Sequence, residues 1–216
     1  MGGGRKIYHL DGTWPCCSGT YPQVVADYHN VIYFKDADGL YVNLFVPSEV
    51  TWNQDGAEIR GMQETTYPES DSTTFTVRTG KATEFALRFR VPGWSQGLSI
   101  TVNGAPVQAE ARPGTWAAVR RTWHAGDRVS LQIPMRLATR PVDPQHPRRV
   151  AFTYGPVVLV QNVEPVLGSS SGDVTSSLRK GTGLQFSIDG QRQAELAPFY
   201  AIGAGTPYNM YFDIKG

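Results

Sequence analysis

Residues 84–91 have the sequence EFALRFRV. Phe85, Leu87 and Phe89 recur at every second position, so an extended chain places three large apolar side chains on one face. This alternation predicts a strand that buries one face against a core.

Similar strand patterns, separated by turn residues, follow one another along most of the chain. Asn103-Gly104 and the Gly-containing loop 35–39 predict hairpin turns, because Asn and Gly tolerate a positive φ. The predicted strands are residues 31–34, 40–46, 73–79, 84–91, 98–102, 116–120, 128–133 and 151–160. The sequence therefore predicts a mainly β fold, a two-lobed antiparallel β-sandwich preceded by a short N-terminal helix.

Composition excludes several classes of function. The chain has 216 residues and a net charge of +1, from 20 Lys and Arg against 19 Asp and Glu. This balance leaves no excess of positive charge that would favour binding to nucleic acid or to an anionic membrane. No apolar run approaches the roughly 20 residues of a membrane span, and no signal peptide follows Met1. We therefore expect a cytoplasmic protein, or a secreted one if a leader is missing from this sequence.

The first thirty residues favour a helix. Ser18 can cap a helix in which Tyr21, Val24, Val25 and Tyr28 share one apolar face. Pro22 is expected early in this helix, where a missing amide donor costs little. Cys16 and Cys17 are then expected just before the helix N-terminus.

The chain's two cysteines, Cys16 and Cys17, are adjacent. Two thiols near a helix start can bind a metal, and a single thiolate there can act as a nucleophile. They can also be small, half-buried apolar residues. A disulfide between neighbours is disfavoured because it strains the peptide.

Other residues suggest weaker alternatives. His9 and Asp11 could add metal ligands, although a His near a terminus is more often solvated, and Asp27 and His29 are most simply exposed polar groups. Trp52, Tyr67, Trp94, Trp116 and Trp123 fit either a sugar-binding platform or core packing, with core packing favoured. Arg136, Arg140, Arg148 and Arg149 are typical of a solvated edge, and could also dock an acidic partner or a sugar acid.

Five ordered segments resemble glycoside hydrolase family 127, the β-L-arabinofuranosidases. They are WPCCSGT at 14–20, GLYVNLFVPS at 39–48, LRFRVPGW at 87–94 with ITVNG at 100–104, GPVVL at 155–159, and LAPFY at 196–200. The resemblance spans nearly the whole chain and implies the C-terminal part of such an enzyme, in which an α/α barrel precedes two β-sandwich domains.

The resemblance also implies site residues. Cys16 corresponds to the nucleophile of a retaining glycosidase and to a zinc ligand, and Cys17 to a second zinc ligand. The family's acid/base glutamate, its glutamate zinc ligand and its third cysteine precede this pair, where the present chain has no Glu and no further Cys. We therefore expect the isolated chain to lack part of the active site.

The domain prediction follows from these patterns. Residues 1–30 are expected to be a remnant of the catalytic barrel, 31–137 the first β-sandwich lobe and 138–204 a smaller second lobe. Residues 205–216 are expected to contain a final strand that returns to the first lobe.

Three hypotheses of function follow. The chain is part of an arabinofuranosidase-like hydrolase, a non-catalytic carbohydrate-binding or accessory module, or a small metal-dependent enzyme that reuses Cys16 and Cys17. The expected partner is a carbohydrate, an L-arabinofuranoside or a plant cell-wall glycan. The first hypothesis also predicts that the helix exposes its apolar face, to be covered by a partner or by a second copy.

Overall fold

The computed structural model describes residues 4–5, 15–161, 178–188 and 191–214, with the backbone alone at 4–5, 15–19, 21, 188 and 191–194. Its first elements are strand β1 (Gly4–Arg5), helix α1 (Pro15–Asp27) and a 3-10 turn (Tyr28–Val31). The chain forms two compact units. The first unit is Trp14–Pro134, and the second combines Met1–Thr13 with Met135–Gly216.

Ten strands lie in the first unit, seven of them overlapping the predicted ranges and three, at 48–54, 57–65 and 105–107, outside those ranges. The ten strands are β2 (Tyr33–Asp36), β3 (Gly39–Val42), β4 (Ser48–Gln54), β5 (Ala57–Thr65), β6 (Ser72–Thr79), β7 (Thr83–Arg90), β8 (Ser99–Val102), β9 (Ala105–Val107), β10 (Trp116–Trp123) and β11 (Arg128–Gln132). Among the described residues they form a four-stranded sheet, β10-β7-β3-β2, and a six-stranded sheet, β4-β5-β6-β11-β8-β9.

The core of the first unit lies between these two sheets. Leu87 and Phe89 of the four-stranded sheet are fully buried in one cluster with Ile59, Phe75 and Val129 of the six-stranded sheet. Burying the apolar face of both sheets removes their side chains from water, which is the main stabilising term of such a sandwich. The predicted β-sandwich is confirmed in this unit.

Two predicted hairpins are confirmed. Strands β2 and β3 pair antiparallel. Across their turn the Asp36 carboxylate accepts hydrogen bonds from the backbone amides of Asp38 at 2.8 Å and Gly39 at 3.0 Å. Asn103 and Gly104 both have positive φ and join β8 to β9. One pairing departs from the antiparallel prediction, because β3 runs parallel to β7. The intervening β4, β5 and β6 belong to the other sheet, which provides the long crossover that a parallel pair needs.

The second unit has its own sheet and core. Its strands are β12 (Leu137–Pro141), β13 (Arg149–Tyr154), β14 (Val157–Gln161), β15 (Leu178–Lys180), β16 (Phe186–Ile188), β17 (Gln191–Pro198), β18 (Pro207–Tyr208) and β19 (Tyr211–Asp213), with a 3-10 turn at Phe199–Ala201. Their order is β12-β13-β14-β17-β16-β15, with β19 also paired to β13. Phe152, Leu159, Leu196 and Phe212 are buried in its core.

Two predicted boundaries differ from the structure. The last strand was expected to return to the first lobe, and that prediction is wrong for residues 211–213, which pair with Arg149–Ala151 of the second unit. Residues 1–30 do not form one segment either, because Gly4–Arg5 pair with Pro207–Tyr208 of the second unit. The compact units divide after Pro134, close to the lobe boundary predicted after residue 137.

Across the part of the chain that the structure describes, no helix has the length and apolar character to cross a bilayer.

Candidate functional site

The Cys16-Cys17 pair lies inside the first turn of helix α1, and not just before it as predicted. The helix begins at Pro15, since proline has a preset helical φ and lacks only an amide that has no intrahelical partner at that position. Ser18 is therefore within the first turn and does not precede the helix. Pro22, expected early, is in the helix interior, where it cannot donate a backbone hydrogen bond.

This placement gives the two cysteines a particular electrostatic setting. The amides of a helix's first turn have no carbonyl partner within the helix and carry the positive end of its dipole. Such a position favours a thiolate over a thiol. The backbone of Cys16 and Cys17 is described, whereas their side chains lie outside the described part of the structure.

Two other metal-ligand candidates, Asp27 and His29, lie at the far end of the helix from this pair. Asp27 ends helix α1 and His29 follows in the 3-10 turn. At about 1.5 Å of rise per residue, Asp27 is roughly 16 Å along the helix from Cys16, far beyond the reach of a shared metal ion. Asp27 instead accepts a hydrogen bond from Asn30 Nδ2 at 3.3 Å.

The described residues contain no group of three or more His, Cys, Asp or Glu side chains arranged to hold a metal ion. His9 and Asp11 lie outside the described residues. A structural zinc site uses four protein ligands and a catalytic one uses three. Cys16 and Cys17 alone therefore do not fit a complete zinc site.

The apolar face predicted for the helix is exposed. Val24 and Val25 are more than half accessible, and Tyr28 is about half accessible. The hypothesis that the chain is part of a larger hydrolase predicts this exposure.

The five aromatic candidates divide by burial. Trp52 and Trp123 are buried, and the Trp123 indole N–H donates to the Phe85 carbonyl at 2.9 Å. Trp94 and Tyr67 are partly buried against the same core. Burial raises the pKa of Tyr67 to about 12. Trp116 differs from the other four because 36% of it is exposed.

The arginine-rich stretch contributes one well-defined ion pair. Arg149 of β13 donates to both carboxylate oxygens of Asp213 in β19, at 2.9 and 3.2 Å. This hydrogen bonding lowers the pKa of Asp213. Arg149 therefore links two paired strands.

Sequence reasoning missed a polar and aromatic cluster on the first unit. Tyr41 donates its hydroxyl hydrogen to Asp36 Oδ2 at 2.8 Å, and the Arg88 guanidinium lies 4.6 Å from the centre of the Tyr41 ring. The hydrogen bond from Tyr41 is the largest cause of a lowered pKa at Asp36, and the same bond raises the pKa of Tyr41. The alternation of β3 and β7 places Tyr41 and Arg88 on the face opposite the core, and only the pairing of these strands shows that they meet.

Comparison with known protein families supports the resemblance found in the motifs. Residues 39–135 match the family model described as the middle domain of GH127 β-L-arabinofuranosidases. The matched range covers most of the strands of the first unit. This match confirms the predicted resemblance to family 127. No curated protein matches the sequence.

Solved structures show the same fold. A GH127 β-L-arabinofuranosidase from Geobacillus stearothermophilus T6 superposes with a TM-score of 0.72 at 24% identity, covering 93% of this chain and 37% of that one. A second structure, a glycoside hydrolase, superposes with a TM-score of 0.74 at 23% identity, covering 95% of this chain and 40% of that one. A GH127 β-arabinofuranosidase superposes with a TM-score of 0.73 at 19% identity, covering 100% of this chain and 41% of that one. This chain thus spans about two fifths of their length.

Proposed function

We propose that this chain, whose residues 39–135 match a GH127 middle domain, is the β-sandwich portion of a retaining glycoside hydrolase that acts on terminal L-arabinofuranosides. One observation carries the proposal. The Cys16-Cys17 pair opens helix α1, and the strands of that matched domain follow this helix in the same compact unit.

Cys16 is the proposed nucleophile. In the first step its thiolate sulfur forms a bond to the anomeric carbon while the bond to the leaving-group oxygen breaks, and an acid gives that oxygen a proton. In the second step water attacks the same carbon, a base takes the water proton, and the thiolate is released. Two displacements at one carbon retain its configuration.

Asp27 does not supply the acid or the base of this reaction. Asp27, the carboxylate at the other end of helix α1, is about 16 Å along the helix from Cys16, too far to protonate a leaving group bound there. The resemblance to family 127 places the acid/base glutamate before the cysteine pair, so the proposed reaction takes this group from residues beyond those described or from a second chain.

In this proposal Cys16 and Cys17 are candidate ligands of a zinc ion, and zinc has no other role. These residues can supply two thiolates, and a bound zinc ion would lower the pKa of the thiols that hold it. Since the described residues do not complete such a site, no step of the proposed hydrolysis depends on the metal.

Hydrolysis of 4-nitrophenyl β-L-arabinofuranoside, with other aryl glycosides for comparison, tests this proposal. We expect nitrophenolate release from the arabinofuranoside when the missing acid and base groups are also supplied, by a longer form of the chain or by a second chain. Under those conditions Cys16→Ser should abolish the release, and Ser18→Ala, two positions away, should retain it. Intact mass spectrometry should show a pentosyl adduct on the wild-type chain and none on Cys16→Ser.

Metal analysis supplies a second readout. If zinc is present, Cys16→Ser and Cys17→Ser should each reduce zinc content, whereas Ser18→Ala should not. Release of nitrophenolate that persists in Cys16→Ser would contradict the proposed nucleophile. Absence of release when the acid and base groups are supplied would contradict the proposed hydrolase function and would favour the hypothesis of a carbohydrate-binding module.

A further inference from the structure

The outer side of the sheet β10-β7-β3-β2 carries aromatic rings where a solvated sheet face usually carries short polar residues. Phe34 pairs directly with Tyr41 across β2 and β3, and Tyr41 pairs with Arg88 across β3 and β7. Trp116 projects from β10 on the same side. We call Phe34, Tyr41, Arg88 and Trp116 the aromatic face.

The rings of the aromatic face form an open corner. The Tyr41 and Trp116 rings lie 5.0 Å apart, centre to centre, at an interplanar angle of 85°. Phe34 is 47% exposed, beside Tyr41. Two nearly perpendicular rings and an adjacent third ring offer flat apolar surfaces in different orientations to one ligand.

The corner is held in place before any ligand binds. Tyr41 is fixed at its hydroxyl by Asp36, and the guanidinium of Arg88 lies over its ring. Arg88 donates to Asp36 at 3.3 Å and to Asp38 at 3.4 Å, and only 15% of its side chain is exposed. A rigid platform loses little conformational entropy when it binds a ligand.

Charge decides which ligand suits this surface. Three arginines and three carboxylates lie on it, Arg88, Arg90 and Arg120 against Asp36, Asp38 and Glu84. Arg120 pairs with Asp38 at 3.1 Å and with Glu84 at 3.8 Å. Because the charges balance, the surface is complementary to an uncharged ligand and not to a polyanion.

The polar groups can still bind hydroxyl groups. The side chain of Asp38 is 62% exposed and that of Arg120 49%. Within the described residues, none accepts a hydrogen bond from the Trp116 indole N–H. Solvated carboxylates, guanidinium edges and an indole N–H beside flat rings match the alternating C–H and O–H groups of a sugar.

We propose that the aromatic face is a binding site for a neutral oligosaccharide, separate from Cys16. One sugar ring packs its C–H face in the corner between Trp116 and Tyr41, and the next sugar of the oligosaccharide contacts Phe34. The sugar hydroxyl groups hydrogen-bond to Asp38 and Arg120. The proposal rests on this surface alone and does not require that the chain hydrolyse glycosides.

Calorimetric titration of the full chain with arabinohexaose, xylohexaose and cellohexaose, and with hexagalacturonate as the charged probe, tests the site. We expect at least one neutral probe to bind and hexagalacturonate to bind more weakly. Trp116→Ala should weaken neutral binding about tenfold, as expected for losing one to two kcal/mol of ring contact. Phe34→Ala should weaken it less.

Control variants separate binding from folding. Trp116→Phe keeps a ring and should retain most of the affinity, whereas Tyr211→Ala removes a more exposed ring from the second unit and should leave affinity unchanged. Cys16→Ser should also bind normally, so that failure of the proposed hydrolysis and failure of this site give different results.

Four outcomes would overturn the proposal. They are no binding of any neutral probe, wild-type affinity in Trp116→Ala, tighter binding of hexagalacturonate than of every neutral probe, and a fall in sedimentation mass on Trp116→Ala. The last result would show that a second copy of the chain covers this face.

Discussion

At the scale of single residues, Gly39 occupies a position that excludes every side chain. Its φ is +149°, and a Cβ built there would lie 2.1 Å from the backbone oxygen of Ala86 on the neighbouring strand. Backbone atoms of a paired strand cannot move aside as a flexible side chain can. The glycine is therefore what allows β3 to approach β7.

Gly39→Ala should lower the free energy of unfolding by on the order of 3 kcal/mol, because it combines backbone strain with a steric collision. Urea denaturation followed by tryptophan fluorescence measures the change. Gly93→Ala is the matched control, since a Cβ at Gly93 meets no atom within 4 Å. An unchanged midpoint for Gly39→Ala would show that the two strands are not held this closely in solution.

At the scale of elements, the last strand is short but supplies a residue to the core of the second unit. Strand β19 has three residues, and Phe212 in its middle is buried with its ring 5.3 Å from that of Phe152. The outer pair Arg149 and Asp213 adds hydrogen bonds at the end of the same ladder. Burial of Phe212 anchors this strand to β13.

Phe212→Ala should therefore destabilise the second unit by about 3–5 kcal/mol. Hydrogen exchange should show lost amide protection in β19 and β13. Tyr211→Ala, on the exposed side of the same strand, should cost about 0.5 kcal/mol. Equal effects of the two substitutions would mean that β19 is not anchored by its buried ring.

At the scale of the whole molecule, stability should depend on acidic pH. The pKa values of Asp36, Asp127, Asp143 and Asp213 all lie below their usual value of 3.8. Burial alone would raise the pKa of Asp127, but hydrogen bonds from Asn103 Nδ2 at 2.8 Å and from the His124 amide at 2.9 Å outweigh it. Asp127 is the buried member of this group.

A carboxyl whose pKa is lowered by folding stabilises the native state above its unfolded pKa, and this stabilisation is lost as pH falls through the folded pKa. Urea unfolding should show constant stability from pH 7 to about pH 5 and a decline below pH 3.8. Asp127→Asn should lower stability at pH 7 by on the order of 1–2 kcal/mol, and the difference from wild type should shrink in acid.

Asp143→Asn is the control for this pH series. Its carboxylate bonds to His146 Nδ1 at 2.8 Å on the protein surface, where solvent screens the interaction. Its effect at pH 7 should be smaller than that of Asp127→Asn. A difference between wild type and Asp127→Asn that stays constant from pH 7 to pH 3 would contradict the lowered pKa of Asp127.

Local patterns alone determined most of the strands and several turns. Alternation at residues 84–91 depends only on neighbouring positions, and Asn103-Gly104 tolerates positive φ whatever surrounds it. The motifs carrying the family resemblance are equally local. For the site, the sequence predicted a cysteine pair just before a helix start, but the helix begins with a proline at its first position, four residues earlier than predicted.

Tertiary structure decided which elements meet. Trp116 and Trp123 belong to one strand, yet Trp123 is buried and Trp116 is exposed, since they lie on opposite faces of β10 and only one face packs on the core. Three contacts join residues that are far apart in sequence. They are the parallel pairing of β3 with β7, the pairing of β19 with β13, and the cluster of Tyr41, Arg88 and Trp116. Such contacts depend on how whole strands lower their combined free energy by burying apolar area, which no single stretch of sequence encodes.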